Sequence, residues 1–388
     1  MINNKKVNVL YILTKLELGG AQKICLSLIE GLRKKGNFSG LVCGEEGVLA
    51  EQVRKIDSVF LLKSFKREVG IKNIINEIRT FFLMIKRIRI LKKKYQNLIV
   101  HTHSTKAGFL GRWAAFFAGV KRRIHTVHGF GFHEYQNRIT WLVIYFMEFF
   151  TSFITTHYVC VSYYDLNIGK RLLPRFSKKS SVIRAAVDWD RFYIPASKIK
   201  NEFYGAVKVP KFVIGTVSCF KPQKNIFDLL KAFKRLNEKV LKKDIFLQII
   251  GDGILRKDIE NWIEKNSLQN KIELLGWQDN VSKFLTKWDL FVLSSLWEGL
   301  PCAIVEARLS RLPVVSYNIC GISEVIFDGK NGFLVEVGDW EKLSEKMKLI
   351  LKDGELFKKM CDYPDNLYDF HNKSMVEQHL SLYRKQLF

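Results

Sequence analysis

One stretch of this chain, residues 291–315, constrains the fold more than any other, because it combines a strand, a sharp turn and the start of a helix. The apolar run at 290–293 predicts a buried parallel strand. A tight connection follows at 298–301, and a helix is expected over 302–308, with Pro301 near its first position, where the missing N–H costs nothing. Free backbone N–H groups and the positive end of the helix dipole then form an anion site above the strand.

Two glutamates flank this predicted anion site. Glu298 lies in the turn, and Glu306 lies about two turns along the helix. Two carboxylates beside an anion site suit a ligand that carries a phosphate between two polyols, and a nucleotide-sugar is such a ligand. The alternative is a buried strand followed by a surface helix whose glutamates are solvated, because glutamate is a common residue on exposed helix faces.

The stretch resembles the family 4 retaining glycosyltransferases, which have the GT-B fold. The match is to the E-x7-E signature of that family, here Glu298 to Glu306. Three further segments follow in the family's order and spacing, namely 312–315 (LPVV), 321–325 (GISEV) and 328–334 (DGKNGFL). The resemblance implies a glycosyltransferase of the hexosyltransferase type that uses a nucleotide-sugar donor.

The resemblance also implies how the site works. Transfer with retention is thought to proceed on one face of the sugar, and the leaving diphosphate helps to deprotonate the acceptor hydroxyl. The protein then has to neutralise the departing charge and orient the sugar. Glu298 would bind donor-sugar hydroxyls and Glu306 the ribose hydroxyls, and no metal or cofactor is expected, since basic groups and dipoles replace it. The backbone expected to face the diphosphate belongs to Gly299, Leu300, Pro301 and Cys302.

Chain length and cysteine content bound the class of protein. At 388 residues the chain exceeds the size at which single hydrophobic cores stop growing, about 250–300 residues, so two domains are expected. The seven cysteines are scattered without a C-x-x-C pair. This pattern indicates reduced thiols in a cytosolic compartment and neither a zinc site nor a disulfide framework.

The net charge of +25 is unevenly distributed. Residues 1–200 carry 35 Lys and Arg against 13 Asp and Glu, a net charge of +22, whereas the remaining residues carry 28 against 25, a net charge of +3. A basic half needs an anionic partner, either a nucleic acid or an anionic membrane. No helix-turn-helix, zinc finger or RNA-recognition motif is visible in the sequence, so we expect an anionic membrane surface and no nucleic acid.

Strands alternate with helices along both halves, which predicts two doubly wound, Rossmann-like α/β domains with parallel sheets. The acceptor-binding domain is expected over 1–195 and the nucleotide-sugar-binding domain over 211–370, joined by a polar, lysine-rich linker at 196–210. Residues 371–388 are expected to form a helix that crosses back to the first domain, as in the GT-B fold. Ligands bind such domain pairs in the cleft that both face, at the carboxyl ends of the strands.

Two long segments of the first half combine apolar and basic character. The helix predicted at 71–94 mixes Ile, Leu and Phe with Lys and Arg, whereas 139–156 contains a single charge, Glu148. A spanning helix needs about 20 apolar residues, and a charge at its centre costs roughly 2.5–3.5 kcal/mol. We therefore expect a crossover helix at 139–156. Both segments are expected to supply apolar and basic faces to a membrane surface, or else to be core helices with a solvated basic face.

Polar residues follow the strands of the first half. Gly20 ends a glycine pair between the first strand and a helix, where backbone N–H groups can face an anion. A lone histidine is more often structural, but the resemblance implies that His128, at another strand end, contacts the donor sugar. His103, Ser104 and Lys106 end the preceding strand and are expected to bind the acceptor, with Lys106 a candidate for its phosphate. Zinc is not expected there, because the pattern lacks a third ligand.

In the second half, Lys224 stands just before a helix, and its charge suits a diphosphate clamp. The family has an arginine five residues before this lysine, and Cys219 replaces it here. Either Lys221 supplies the second basic contact or the clamp is weaker, and the alternative for Lys224 is a solvated surface lysine. Gly251 and Gly253 are expected to line the nucleotide side of the cleft, and Trp277 to pack near the base.

The sequence thus supports a retaining glycosyltransferase that moves a sugar from a nucleotide-sugar, a UDP-sugar in the first instance, to a saccharide acceptor that is lipid-linked or otherwise close to a membrane. A polyprenyl-diphosphate-linked acceptor in surface polysaccharide synthesis fits this description, with the enzyme in the cytoplasm, peripheral on the inner face of the plasma membrane. His128, Lys224 and Glu298 are expected to carry the chemistry. A nucleotide-sugar epimerase of the same fold and a basic nucleic-acid-binding protein are the alternatives.

Overall fold

The chain divides into two units that pack separately. The computed structural model describes residues 6–17, 19–54, 58–66, 73–195, 211–239 and 244–387. The first unit comprises Met1–Ala186 with Tyr368–Phe388, and the second comprises Val187–Leu367. The predicted linker at 196–210 and the first two residues of the predicted helix 71–94 lie outside the described residues.

The first unit alternates strands and helices, as the sequence predicts. Its elements up to the last strand are β1 (Asn8–Leu13), α1 (Gly20–Lys34), β2 (Phe38–Gly44), α2 (Ala50–Arg54), β3 (Val59–Leu62), α3 (Ile74–Lys94), β4 (Ile99–His103), α4 (Thr105–Phe117), β5 (Arg122–Val127), α5 (Arg138–Ile154), β6 (His157–Cys160), α6 (Tyr163–Leu172) and β7 (Ser180–Val182). Every residue of β4 is buried, which is expected of a central parallel strand that helices cover on both faces.

The described strands of the first unit form a parallel sheet in the order β3-β2-β1-β4-β5-β6-β7. The chain moves outward from β1 to β3 and then returns across the sheet to β4. The strand order therefore reverses between β1 and β4. At such a switch point the two following segments diverge and leave a crevice at the carboxyl ends of the strands, where ligands bind in open parallel sheets.

A buried ion pair joins α4 to α5. Helix α4 lies so close to the sheet that a Cβ on Gly108 would come within 2.5 Å of the His125 ring. Arg112, one turn further along α4, is completely buried and donates to both carboxylate oxygens of Glu148 on α5, at 2.8 and 2.7 Å. Tyr158 on β6 donates to the same carboxylate at 2.8 Å, so the charge pair is also hydrogen-bonded to the sheet.

Helix α5 buries polar side chains and exposes several of its large apolar ones. Glu148, Thr151 and Ser152 are buried. Large apolar side chains are exposed instead, at Ile139 (76%), Val143 (54%), Phe146 (48%), Phe150 (58%) and Phe153 (60%). A surface helix of a globular protein ordinarily has the reverse arrangement. The helix connects β5 to β6, so the predicted crossover is confirmed, and no helix among the described residues is long and apolar enough to cross a membrane.

The second unit repeats the alternation. Its elements are α7 (Trp189–Phe192), β8 (Lys211–Val217), α8 (Ile226–Lys239), β9 (Asp244–Ile250), α9 (Arg256–Lys265), β10 (Ile272–Gly276), α10 (Ser282–Leu285), β11 (Leu290–Leu293), α11 (Cys302–Leu309), β12 (Val314–Tyr317), β13 (Gly332–Val335), α12 (Trp340–Lys352) and α13 (Gly354–Asp362). Its described strands form a second parallel sheet in the order β10-β9-β8-β11-β12-β13, with the switch point between β8 and β11.

The boundary between the units differs from the predicted one. Residues 187–195 belong with the second unit, whereas the sequence pattern predicts them in the first. The physical reason is local, because the Ile194 amide donates to the Leu309 carbonyl at 2.9 Å and the Arg311 side chain donates to the Ile194 carbonyl at 3.1 Å. These bonds hold the segment against α11.

The terminal helix α14 (Asn372–Lys385) packs on the first unit, against α1. Its Tyr383 is completely buried and lies 3.0 Å from the hydroxyl of Tyr11 on β1. The same Tyr383 hydroxyl lies 2.6 Å from His101 Nδ1 on β4. The last helix of the chain is thus hydrogen-bonded to the two strands that flank the first switch point.

Candidate active site

Hydrogen bonds tie together the two segments that leave the switch point of the second unit. The Leu296 amide, after β11, donates to the Gln223 carbonyl, after β8, at 2.8 Å. The Gln223 side chain donates to the Trp297 carbonyl at 2.7 Å, and the Ser294 hydroxyl donates to the Asn225 carbonyl at 2.9 Å. The backbone of both segments is thereby fixed.

Lys224 and Glu298 meet between these segments. Lys224 Nζ donates to Glu298 Oε1, and the two side chains are 18% and 12% exposed. The pair is therefore largely removed from water, unlike a solvated surface lysine, and its attraction is less screened than that of a surface pair. A 3-10 turn, Pro222–Lys224, precedes Asn225, whose left-handed φ of 45° directs the chain into α8.

Two glycines bring the segment after β9 against the segment after β8. A Cβ on Gly251, where φ is +135°, would lie 2.0 Å from the Ser218 carbonyl oxygen. A Cβ on Gly253 would lie 2.6 Å from the Phe220 carbonyl oxygen. Both glycines follow β9 at the carboxyl edge of the sheet and allow a close backbone approach that any side chain would prevent, and their expected position beside the nucleotide stays a prediction.

Helix α11 begins four residues after Glu298, in the segment that leaves β11. Pro301 is its N-cap residue, and the Ile304 amide donates to the Pro301 carbonyl at 3.1 Å. The backbone N–H groups of the first turn have no acceptor one turn earlier within the helix, which is the general condition of helix starts. Gly299, Cys302 and Glu306 are partly exposed along this turn and helix, whereas Leu300 and Pro301 are buried.

Trp277 lies farther from this crevice. It follows β10, the edge strand, and is 50% exposed. Two strand spacings separate β10 from β8, about 10 Å at the usual distance between neighbouring strands.

Lys221 caps the turn that carries Lys224 and is partly exposed two residues after Cys219, so a basic side chain lies close in sequence to the missing arginine.

Two serines that the sequence analysis did not single out lie at the same switch point. Ser218 is the first residue after β8, and Ser295 the second after β11, and both are buried. Neither hydroxyl has a hydrogen-bond partner among the described residues. Both serines could have been predicted from the sequence, because each is a small polar residue at the end of an apolar strand, where ligands bind in open parallel sheets.

At the switch point of the first unit, His103 and His128 are hydrogen-bonded. His103 Nδ1 lies 2.9 Å from His128 Nε2, so one of these nitrogens carries the proton and the other accepts it. Burial lowers the pKa of His128 to about 4, and burial together with the neighbouring His101 and His128 lowers the pKa of His103 well below its ordinary value. Both rings are therefore neutral near pH 7. His103 Nε2 is buried and has no partner within the described part of the chain.

Gly20 is the first residue of α1, whereas the sequence places it at the end of the loop before that helix, and its expected contact with an anion stays a prediction. Ser104, between β4 and α4, has a left-handed φ of 68°, and its hydroxyl lies 2.8 Å from that of Thr14, the first residue after β1. This contact joins the two segments of the first switch point.

Lys106 is ion-paired within the first unit. Its ammonium donates to the Glu77 carboxylate on α3 and to the Lys66 carbonyl. The side chains of Lys106 and Glu77 are 14% and 20% exposed, so the ammonium is paired with a carboxylate inside the unit, as that of Lys224 is with Glu298, and the acceptor-binding role of Lys106 stays a prediction. The sequence does not show this pairing, because the partners lie 29 residues apart on different helices.

His101 is held by structural partners. Tyr383 lies 2.6 Å from its Nδ1, and Thr126 Oγ1 lies 2.7 Å from its Nε2. Both ring nitrogens are thus occupied, and His101 cannot join His103 as a metal ligand without breaking these bonds. The described residues contain no cluster of three or more His, Cys, Asp or Glu side chains arranged to hold a metal ion.

Two family models match the chain, one for each half. The model described as Glycosyltransferase Family 4 matches residues 18–191, and the model described as Glycosyl transferases group 1 matches residues 198–364. The UDP-Gal:alpha-D-GlcNAc-diphosphoundecaprenol alpha-1,3-galactosyltransferase of Escherichia coli is 32% identical over 91% of this chain and 90% of its own length. The capsular polysaccharide biosynthesis glycosyltransferase CapM of Staphylococcus aureus is 24% identical over 84% of both chains.

Solved structures share the fold at lower sequence identity. HepE of Anabaena, in a crystal structure with UDP and glucose, matches with a TM-score of 0.78 and 17% identity, over 97% of this chain and 99% of that one. Sucrose-phosphate synthase of Thermosynechococcus elongatus matches with a TM-score of 0.79 and 15% identity, over 98% and 99%. The predicted GT-B fold of two Rossmann-like domains is thereby confirmed. The chain belongs to glycosyltransferase family 4 and is a glycosyltransferase of the hexosyltransferase type.

Proposed function

We propose that this enzyme transfers a hexose, with retention, from a UDP-sugar to a saccharide linked to polyprenyl diphosphate, at an anionic membrane surface, during surface polysaccharide synthesis. The observation that carries the proposal is the Lys224–Glu298 pair at the β8–β11 switch point, where α11 also begins. A cation, a carboxylate and a helix N-terminus at one sheet edge match a diphosphate that bears a sugar.

The donor assignment rests on charge and on hydrogen-bonding capacity. Lys224 supplies a positive charge for the diphosphate, and Lys221 is assigned the contact that the family arginine makes. The buried hydroxyls of Ser218 and Ser295 have no hydrogen-bond partner among the described residues, so each can donate to a ligand. Phosphate oxygens are strong acceptors for such donors. UDP as the nucleotide is supported by the HepE complex with UDP and by the UDP-Gal named for the Escherichia coli relative.

The protein's part in the chemistry is electrostatic. Negative charge grows on the leaving diphosphate as the sugar–oxygen bond breaks, and Lys224 with the start of α11 stabilises that charge. Glu298 is assigned to the donor-sugar hydroxyls and Glu306 to the ribose hydroxyls. His128, neutral near pH 7, is assigned a hydrogen bond to the sugar, not a charge interaction. The proposal needs no metal, so transfer should persist in EDTA.

The membrane assignment rests on charge and on exposed apolar side chains. The first 200 residues carry a net charge of +22, and α3 ends in the exposed Lys92, Lys93 and Lys94. Each such charge near an anionic surface is worth roughly 1 kcal/mol. The same helix exposes Ile75 (77%) and Phe82 (62%), so apolar insertion would add to the charge attraction. The lipid-linked acceptor is supported by the diphosphoundecaprenol substrate named for the Escherichia coli relative.

A panel of nucleotide-sugars tests the donor assignment. Thermal unfolding is followed with UDP-, GDP- and ADP-sugars, because a ligand that binds only the native state raises the apparent stability. We expect a shift with one or more UDP-sugars, a much smaller shift in Lys224→Ala, and an unchanged shift in the exposed-lysine control Lys283→Ala. Stabilisation by GDP- or ADP-sugars alone would refute the UDP assignment. Proton NMR of the product then shows whether the anomeric configuration of the donor is retained.

Vesicle co-sedimentation tests the membrane assignment. The wild-type chain should sediment with phosphatidylglycerol vesicles at low salt and be released at high salt, since surface charges are screened. A variant with Lys92, Lys93 and Lys94 changed to Glu should stay in solution, whereas the matched control, with the exposed second-unit residues Lys257, Lys265 and Lys283 changed to Glu, should sediment like the wild type. Absence of vesicle binding at any salt concentration would remove the membrane from the proposal.

A further inference from the structure

Helices α4 and α5 enclose a groove of about 530 Å³ on the surface of the first unit. Its walls are apolar side chains, among them Phe109 and Trp113 from α4 and Val143, Phe146 and Phe150 from α5. The volume lies within the usual range of ligand sites, about 300–1,000 Å³. The walls are apolar and present no polar group that could orient a ligand. Such a lining suits a hydrocarbon chain.

The construction of α5 supports an apolar occupant. Its inward side carries Glu148 and Thr151, which have polar partners, and the Trp113 indole N–H donates to the Thr151 hydroxyl at 3.0 Å. The polar edge of the indole is thereby satisfied, and its ring faces the groove. The outward residues Val143 and Phe150 are more than half exposed, at 54% and 58%. Covering such side chains with hydrocarbon gains about 25 cal/mol per Å².

The groove starts at the sheet edge that carries the candidate acceptor site. Phe109 lies in the first turns of α4, which begins directly after β4 and His103. Ile139 is the second residue of α5, which follows the segment after β5 and His128, and it also lines the groove. From Ile139 to Phe150 the helix rises about 16 Å. The groove therefore runs from the carboxyl edge of the sheet along the outside of the unit.

Resting on the proposed function, we infer that this groove binds the isoprenoid chain of the polyprenyl-diphosphate-linked acceptor. The chain would enter with its diphosphate end at the carboxyl edge of the sheet. Arg138, the first residue of α5, is exposed at that end and provides a positive charge for the diphosphate. The linked saccharide is thereby held at the edge where His103 and His128 lie.

An acyl chain of a bulk membrane lipid is the competing occupant. Such a chain would cover the groove equally well but would bring no sugar to the sheet edge. The groove mouth lies at the same edge of the sheet as the histidine pair and near the exposed Arg138, and this position favours the acceptor lipid. The two occupants differ in head group and in dependence on chain length, and both differences are measurable.

The binding experiment uses the full chain in detergent-free buffer, with geranyl, farnesyl and geranylgeranyl diphosphate as probes below their self-association concentrations. Calorimetry gives the dissociation constants, and Trp113 fluorescence, identified by comparison with Trp113→Phe, reports binding in the groove. We expect affinity to rise roughly tenfold or more per isoprene unit until the groove is filled. Inorganic diphosphate should bind far more weakly. A series that does not depend on chain length, or dihexanoylphosphatidylglycerol displacing farnesyl diphosphate at equal concentration, would overturn the inference.

Two substitutions on the same helix separate the groove from the other exposed apolar side chains of α5. Phe146 lines the groove and is 48% exposed, whereas Phe153 is 60% exposed and does not line it. Both are exposed enough for glutamine to leave the fold intact, which circular dichroism verifies. Phe146→Gln should weaken farnesyl diphosphate binding roughly tenfold, since it removes an apolar contact of about 1.5 kcal/mol. Phe153→Gln should leave it unchanged. Equal effects of the two substitutions would overturn the inference.

Transfer assays distinguish failure of the groove from failure of the proposed function. With a lipid-linked acceptor series, Phe146→Gln should raise the acceptor KM for long chains, with little change for a geranyl-linked acceptor and none in the donor KM. If transfer occurs but the acceptor KM changes neither with chain length nor in Phe146→Gln, then lipid binding in the groove is refuted and the proposed function is not. If prenyl diphosphates bind with the expected dependence on chain length and on Phe146, but no lipid-linked acceptor receives a sugar, then lipid binding in the groove is supported and the proposed function is refuted.

Discussion

Changing Glu148 to Gln removes one charge from the buried pair that joins α4 to α5. Arg112 is completely buried, and besides both Glu148 oxygens its guanidinium contacts Thr155 Oγ1 at 2.9 Å and Tyr158 Oη at 3.2 Å. Glutamine keeps the shape and leaves the arginine charge without its counter-charge. Breaking a buried pair in this way costs about 3–5 kcal/mol.

The lowered pKa of Glu148 makes the stability that this pair contributes depend on pH. Burial alone would raise the pKa of Glu148, but the Arg112 charge and hydrogen bonds lower it from 4.5 to about 2. At about 1.4 kcal/mol per pKa unit, the ionised carboxylate contributes on the order of 3 kcal/mol. A depressed folded-state pKa means that this stability is present above about pH 4.5 and is lost as the pH falls towards 2. The two magnitudes agree.

Urea unfolding with hydrogen exchange of the α4 and α5 peptides measures the effect in the first unit. We expect Glu148→Gln to lose about 3–5 kcal/mol at pH 7 and to lack the part of the wild-type loss that occurs below about pH 4.5, where Glu148 takes up a proton. The double variant Arg112→Met, Glu148→Leu should recover most of the loss, because apolar residues of similar volume replace buried pairs well. The control Glu30→Gln, which breaks the exposed pair with Lys34, should cost less than about 1 kcal/mol. A loss below about 1 kcal/mol in Glu148→Gln, or a double variant no better than the single one, would refute the reasoning.

Three further predictions follow from the site and from the histidines. Lys224→Ala should lower kcat at least roughly tenfold in protein that circular dichroism shows to be folded, whereas near-normal turnover would leave Lys221 as the main diphosphate contact. Glu306→Ala should weaken donor binding in calorimetry by about 1.5–3 kcal/mol, the value of a charged hydrogen bond, and unchanged affinity with an intact fold would remove its assigned role. The first unit should lose stability as the pH falls from about 6.5 to about 4, by up to about 1.4 kcal/mol per pH unit for each buried histidine. Burial lowers the pKa of His128 and His379 to about 4, so protons bind the unfolded chain first. All eight histidines lie in the first unit, so hydrogen exchange should show no such loss in the second between these pH values.

The alternation of strands and helices was predictable because it depends on local patterns. Apolar runs ending in small or polar residues mark parallel strands, and the strand at 290–293 has its predicted bounds. The segment 291–315 also identifies the family, since its turn and two glutamates follow one another within a single strand–helix unit. Glu298 and the start of α11 are local in this sense and lie where the sequence places them, whereas the pairing of Glu298 with Lys224 joins residues 74 apart.

Features that depend on distant partners were not predictable. Lys106 was predicted to bind an acceptor phosphate because of its charge. Only the packing of α3 on α4 shows that its ammonium is paired with the Glu77 carboxylate. The sequence shows that α5 is apolar but not which side faces outward, because the buried side is defined by Arg112 on another helix. The unit boundary at 187 likewise depends on bonds to α11, more than a hundred residues away.

The hydrogen bonds between the segments after β8 and β11 also bear on how the donor binds. Ordering a flexible side chain at a binding surface costs about 0.5–1.5 kcal/mol for each one immobilised. Here the backbone at Gln223, Asn225 and Leu296 is already ordered when the unit folds, so that loss of conformational entropy belongs to folding and not to association. Gln223→Ala removes the side-chain hydrogen bond to the Trp297 carbonyl. This substitution should therefore make donor binding entropically less favourable, even though Gln223 carries no charge. Part of the affinity for the donor would then come from a residue whose whole contribution is the stiffness of the site.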